Sequence, residues 1–228
     1  MTFNAIKQGI YGLYLTNSFG LRLRKTNDSM EKKRLRHAYS KAQLQALNIT
    51  VNIKNKEKLP LDGQYLIVIN HRSIIDPPIV EVALEKTEIF GPWISKKELY
   101  NSFFFGLFVR NGGSILLDRE KSQMSGFFAD IKEAVKRGES IFIFPEGTRN
   151  KTQKNLSSFK DGARIIALKN RISILPIYIE SNTNEALGNA LNDKKLSQEI
   201  SVLIGDVIDY KDKVNLETRY RDLFKLDD

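Results

Sequence analysis

This sequence predicts an α/β fold: a mixed, largely parallel sheet flanked by helices, preceded by an N-terminal amphipathic helical element. Three observations carry that expectation. Short apolar runs of strand length recur at 65–69, 89–94, 114–117, 141–144, 174–179 and 201–204. Helix-like stretches lie between them, near 98–109, 122–137 and 160–170. The first twenty-one residues differ from both, with one charge, Lys7, among Phe3, Ile6, Ile10, Tyr11, Leu13, Tyr14, Leu15, Phe19 and Leu21.

Taken in order, Phe3, Ile6, Ile10 and Leu13 recur at helical spacing and make one apolar stripe. Arg22, Arg24 and Lys25 follow, then Lys32, Lys33, Arg34 and Arg36. An aromatic apolar helix beside a polybasic segment has the pattern of a membrane-surface anchor. Asn4, Lys7, Gln8, Asn17 and Ser18 interrupt the run, so it makes a poor transmembrane span. It also lacks the charged start and small-residue cleavage site of a secretory signal peptide. The competing reading is a helix packed on the core, with the basic run as a solvated face.

Residues 29–47 read as a helix with Leu35, Ala38, Ala42 and Ala46 on one face, capped by Asp28 or Ser29. Ile49 to Ile53 alternates as a half-buried strand, and Lys54 to Asp62 makes a polar connection. Asp76-Pro77-Pro78 opens a helix reaching about Lys86, with Asp76 at its cap. No repeat or Pro/Gly/Ser-rich linker divides the remainder, so two parts are expected: a membrane-associated helical element at 1–48 and an α/β domain at 49–228.

A chain of 228 residues is long enough to bury a sizeable core. The absence of Cys excludes disulfides, thiolate catalysis and Cys-based metal sites, and two histidines, His37 and His71, argue against a histidine-rich metal site. The net charge of +9 is unevenly placed: residues 1–60 carry 12 Lys/Arg against 3 Asp/Glu, and the rest carries 24 of each. A basic block on a neutral body suits an anionic surface. A nucleic-acid binder would spread basic and aromatic residues over the folded body, so nucleic acid is not expected as a partner.

Two motifs close strand-like runs. Asn70-His71-Arg72-Ser73-Ile74-Ile75-Asp76 follows the run 65–69, and Phe144-Pro145-Glu146-Gly147-Thr148-Arg149 ends the run 141–144. The carboxyl ends of strands are where α/β sheets place their ligands. With Gly113 to Arg119 and Ile174-Leu175-Pro176-Ile177, these form four ordered blocks within residues 60–180. In them the chain resembles the lysophosphatidic-acid (1-acylglycerol-3-phosphate) acyltransferases. Ser95-Lys96-Lys97-Glu98-Leu99 and Phe159-Lys160-Asp161-Gly162-Ala163 resemble that family's flanking segments.

The resemblance implies a fatty-acyl transfer from acyl-CoA or acyl-carrier protein to lysophosphatidic acid, giving phosphatidic acid, with no cofactor and no metal. It implies His71 as general base with Asp76 holding its tautomer. It also implies acceptor binding by Arg119, Glu146, Gly147, Thr148 and Arg149, and Lys160 is a further candidate for anion contact. The block around Pro176 is expected to wall the acyl donor. Anionic lipid on the cytoplasmic face of the inner membrane is the expected surface, held peripherally or monotopically.

The chemistry agrees. Acyl transfer from a thioester to a hydroxyl needs a base, a stabiliser for the oxyanion, and proximity. His titrates nearest neutrality, and Arg engages two phosphate oxygens at once. His71 and Asp76 would lie about 140° apart on an ideal helix, so they meet only if a turn folds between them. Arg72 and Phe103 depart from the family pattern, where a neutral residue and Pro are common. Phe103-Phe104-Phe105, with Leu107 and Phe108, either lines an acyl groove, touches lipid or packs in the core. Other acceptors, glycerol 3-phosphate or another lysolipid, remain as alternatives, as does an inactive membrane-surface scaffold.

Overall fold

The structure is a computed structural model that describes residues 2–118, 124–193 and 195–226. Arg119, expected in the acceptor site, lies outside the described residues. Two helices come first, α1 (Phe3–Leu23) and α2 (Ser29–Ala46), followed by β1 (Ile49–Ile53) and β2 (Leu66–Ile69). Next come α3 (Asp76–Ala83), β3 (Ile94–Lys96), α4 (Lys97–Tyr100), α5 (Gly106–Asn111), β4 (Ile115–Leu117) and α6 (Met124–Lys136). The chain continues through β5 (Ile141–Ile143), α7 (Gly162–Asn170), β6 (Ile174–Ile179), α8 (Thr183–Asn192), β7 (Gln198–Ile204) and α9 (Leu216–Phe224).

The main sheet has the order β1-β7-β6-β2-β5, and a second pairs β3 with β4. Every pairing is parallel except β6 with β7, so the sheet is mixed and largely parallel, as the sequence predicts. Its inner strand β2 is apolar throughout, and all four residues are inaccessible to solvent. Because successive side chains point to opposite faces, Ile67 and Ile69 join one core with α2, α3 and α8. Leu66 and Val68 join the other, with α6, α7 and α9. The chain reaches β5 on one side of β2 and then crosses to β6 on the other. The carboxyl end of β2 is therefore a switch point of the kind where open α/β sheets form crevices.

The N-terminal helices form a further layer. Asp28 caps α2 by accepting from Glu31 N at 2.7 Å. Leu15, Phe19 and Leu23 of α1 make a small core with Leu35 and Tyr39 of α2. Close packing against α5 depends on Gly20, where an added Cβ would lie 2.9 Å from Phe108 N. The opposite side of α1 leaves Phe3, Ile6, Ile10, Tyr11 and Tyr14 exposed, with Phe3 at 83% and Tyr14 at 68%. Among the described residues no helix is long and apolar enough to cross a membrane.

Several expectations are corrected. The basic run is not all solvated: Arg36 is buried, and Lys33 reaches the Thr87 carbonyl, burial lowering its pKa. The segment near 89–94 is largely irregular, with the strand beginning at Ile94, because Gly91 lies against the Ser140 backbone where any Cβ would collide. One helix over 98–109 is instead two, α4 and α5. The Ser102 hydroxyl accepts from Phe104 N and Phe105 N and starts a new turn. Asp76 does not cap α3: Ile75 holds that position, and the carboxylate turns back onto the preceding loop.

Candidate active site

The carboxyl end of β2 is latched before the site begins. Asn70 donates through Nδ2 to Ile179 O at 3.0 Å and accepts from Ile179 N at 2.8 Å, so its amide continues the β2–β6 pairing. The next residue is His71. Its Nδ1 lies 2.8 Å from Asp76 Oδ2, with the turn at 72–75 folded between them.

Asp76 is buried at 1% exposure and collects three further donors. Arg72 N at 2.7 Å and Ser73 N at 2.8 Å reach Oδ2, and Thr183 Oγ1 reaches Oδ1 at 2.6 Å. A carboxylate so surrounded accepts from Nδ1–H and leaves His71 Nε2 as the basic nitrogen. One face of the imidazole stacks on Phe144, with centroids 3.9 Å apart and an interplanar angle of 14°.

The second motif grips the backbone of the first. Glu146 accepts from His71 N at 2.6 Å and, through its other oxygen, from Ser157 N at 2.8 Å. Asn150 N donates to His71 O at 2.6 Å. Glu146 is only 2% exposed, and burial pushes its carboxyl above the ordinary value of 4.5 against the pull of those hydrogen bonds. Both its oxygens are engaged inside the protein, so the structure gives it a bracing position where the resemblance implied acceptor contact. The turn needs Gly147, which has φ 69° and closes 144–147 by donating to Phe144 O at 3.0 Å.

His71, Gly147, Thr148, Arg149 and Lys160 line one cavity of about 1080 Å³. That is at or above the roughly 300–1,000 Å³ of ordinary small-molecule sites. Arg149 and Lys160 are exposed at it with no ion-pair partner among the described residues. Its apolar reach is formed by Leu99, Phe105, Phe108, Leu117, Phe127 and Phe128. Of the aromatic run, Phe105 and Phe108 line this cavity, Phe108 also packs on Tyr39, and Phe103 is 86% exposed. Pro176, expected as a donor wall, is buried in β6 and does not line this cavity. Among the described residues no cluster of His, Asp and Glu is placed to hold a metal ion.

The cavity thus combines a carboxylate-held histidine at its wall, exposed cations and a long apolar reach. The family model described as Acyltransferase matches residues 50–180. This chain belongs to that family. A 1-acyl-sn-glycerol-3-phosphate acyltransferase of Helicobacter pylori is 39% identical over 118 residues, 51% of this chain and 48% of that one. A protein of the same name from Bacillus subtilis is 28% identical, over 75% of this chain and 80% of that one. The match spans about half the length of the Helicobacter pylori relative. The crystal structure of the 1-acyl-sn-glycerophosphate acyltransferase from Thermotoga maritima superposes over 96% of this chain and 91% of that chain. The TM-score is 0.67 at 20% identity, a likeness of fold.

Some residues of this site were not legible in advance. Thr183 stands 107 positions from Asp76, and no local pattern marks its hydroxyl. Lys151 also lines the cavity, beside Arg149 in sequence, and the basic cluster after the motif was the available signal. Ser157 meets Glu146 through both its backbone N–H and its side chain, eleven positions along the chain, and no local pattern marks it.

Proposed function

We propose that this protein transfers a fatty acyl group from an acyl-CoA or acyl-carrier-protein thioester to lysophosphatidic acid, yielding phosphatidic acid. The observation that carries this reading is the placement of His71, held by Asp76, in a large apolar cavity whose polar wall includes Arg149 and Lys160. His71 Nε2 takes the proton of the acceptor hydroxyl as its oxygen attacks the thioester carbonyl. The tetrahedral intermediate then collapses, the C–S bond breaks, and the thiolate leaves with the proton returned by His71. Asp76 supports the transient imidazolium. Arg149 engages the acceptor phosphate, with Lys160, Thr148 and the Gly147 backbone beside it. Glu146 acts by holding the His71 backbone.

Residues 1–48 serve as the membrane-facing element. The exposed face of α1 enters the interface of an anionic cytoplasmic leaflet, and Arg22, Arg24, Lys25 and Arg34 face its headgroups. This supports peripheral or monotopic attachment at the inner membrane.

The test is a matrix of purified protein, labelled acyl-CoA and acyl-carrier-protein donors, and three acceptors: lysophosphatidic acid, glycerol 3-phosphate and another lysolipid. Products identified by mass should show phosphatidic acid as the main output. Transfer only to glycerol 3-phosphate would move the acceptor assignment, and no transfer to any acceptor would favour a scaffold.

A further inference from the structure

We propose that Arg36, acting through Glu81 and Trp93, is a positioning residue for His71, so that helix α2 sets the geometry of the reactive imidazole. Arg36 is 6% exposed and ties three segments together. Its Nε donates to Glu81 Oε1 on α3 at 2.8 Å, Nη1 to Gly112 O at 3.1 Å, and Nη2 to Gly91 O at 2.9 Å. The same Glu81 oxygen accepts from Trp93 Nε1 at 2.9 Å. The indole stacks on Phe144 with centroids 5.2 Å apart, and Phe144 stacks on His71 at 3.9 Å. Arg36, Glu81, Trp93, Phe144 and His71 all line the same cavity.

Burying an ion pair costs desolvation that its attraction barely offsets, so such a pair is weak evidence for stability and better evidence for a fixed geometry. Here the geometry is directional. The guanidinium is planar and meets one carboxylate and two carbonyls at once, an arrangement Lys cannot reproduce. The indole N–H must point at Glu81, which sets the plane of the Trp93 ring. That plane sets Phe144, and Phe144 bounds the face of the imidazole whose edge Asp76 holds. Removing the clamp lets the rings turn while the His71–Asp76 bond remains. Displacements of about 1 Å at reacting groups cost up to about a hundredfold in rate.

This inference rests on the reading of His71 as the general base, and the experiment separates the two. The chain has two histidines and one tryptophan, so imidazole NMR with His37→Gln for assignment and Trp93 emission both report on single sites. Arg36→Lys and Glu81→Gln, each shown to melt cooperatively, should shift Trp93 emission and the His71 imidazole resonances. They should lower kcat about tenfold or more with acceptor KM within about twofold. Trp93→Phe keeps an aromatic ring against Phe144 but removes the indole N–H together with the second ring. It should also move the His71 resonances and lower kcat, and it serves if the charge variants do not fold. A double-variant cycle of Arg36→Lys with Phe144→Leu should be non-additive in kcat. Unchanged His71 resonances and wild-type kcat in folded variants would overturn the proposal, as would a loss confined to acceptor KM. If the wild-type protein transferred no acyl group, the proposed function would fall, while the His71 resonances would still decide whether Arg36 positions the ring.

Discussion

Asp76 shows what a single residue does here: four donors converge on its two oxygens, one from the imidazole, two from backbone and one from Thr183. Asp76→Asn must turn an amide N–H toward one of them. It should cost about 1–3 kcal/mol of stability, read by thermal unfolding, and lower turnover by about a hundredfold or more. Thr183→Val keeps the shape but leaves Asp76 Oδ1 without its hydroxyl donor, and should cost about 1–3 kcal/mol in the same measurement. Glu146 gives a pH signature. Its folded pKa is raised above 4.5, so its share of stability is fully present below that value and is lost as pH rises through the raised folded pKa. Glu146→Gln should therefore improve relative to wild type across that rise, in melting curves taken at several pH values. His71, Asp76 and the Gly147–Arg149 turn were legible because each motif is contiguous in the chain. The bracing role of Glu146 was not, because sequence reports charge but not burial.

At the scale of elements, β1 and the strands at 66–69, 141–143 and 174–179 were readable because their apolar pattern matches their burial. Helix α2 was readable as a helix, but its buried face is Leu35, Arg36, Tyr39, Ser40 and Leu44, with Ala38 exposed and Ala42 and Ala46 half-buried, rather than the alanine face the sequence suggests. Helices α8 and α9 were not. Only Ala186 and Ala190 are buried apolar residues in α8, and α9 is charge-dense, with only Leu216 and Tyr220 buried. Their Asn182 and Asn215 caps were the available signal. Helix α1 shows how one element serves two surroundings: its inner face is small or core-forming, and its outer face is large and exposed. Gly20→Ala should push α1 off the Phe108 backbone and destabilise by about 1–3 kcal/mol, measured by thermal unfolding. Replacing Phe3, Ile10 and Tyr14 by Ser should leave the melting temperature near wild type but strip most binding in flotation with anionic vesicles, since each buried apolar side chain contributes about 1.5–3 kcal/mol. Equal flotation would place the outer face of α1 outside the lipid contact.

For the whole molecule, the ordered motif blocks were enough to read a member of the acyltransferase family, while the three-dimensional joining of its parts was not visible. The basic block and the catalytic body are +9 and neutral in sequence, yet Arg36 of that block is a buried part of the cavity wall. High salt should loosen vesicle binding only partly, because screening acts on the charge term and leaves the apolar one. Deleting residues 1–36 removes the Leu15, Phe19, Leu23 and Leu35 core along with Arg36. The shortened protein should melt lower and lose turnover even on detergent-dispersed acceptor, although the His71 and Glu146 motifs remain intact. The most direct measurement is phosphatidic-acid formation from lysophosphatidic acid and acyl donor in detergent micelles, resolved by mass, for wild type and His71→Ala. Wild type should form product, and a cooperatively melting His71→Ala should form it about a hundred- to ten-thousand-fold more slowly. Near-wild-type turnover by folded His71→Ala would contradict general-base catalysis at this site.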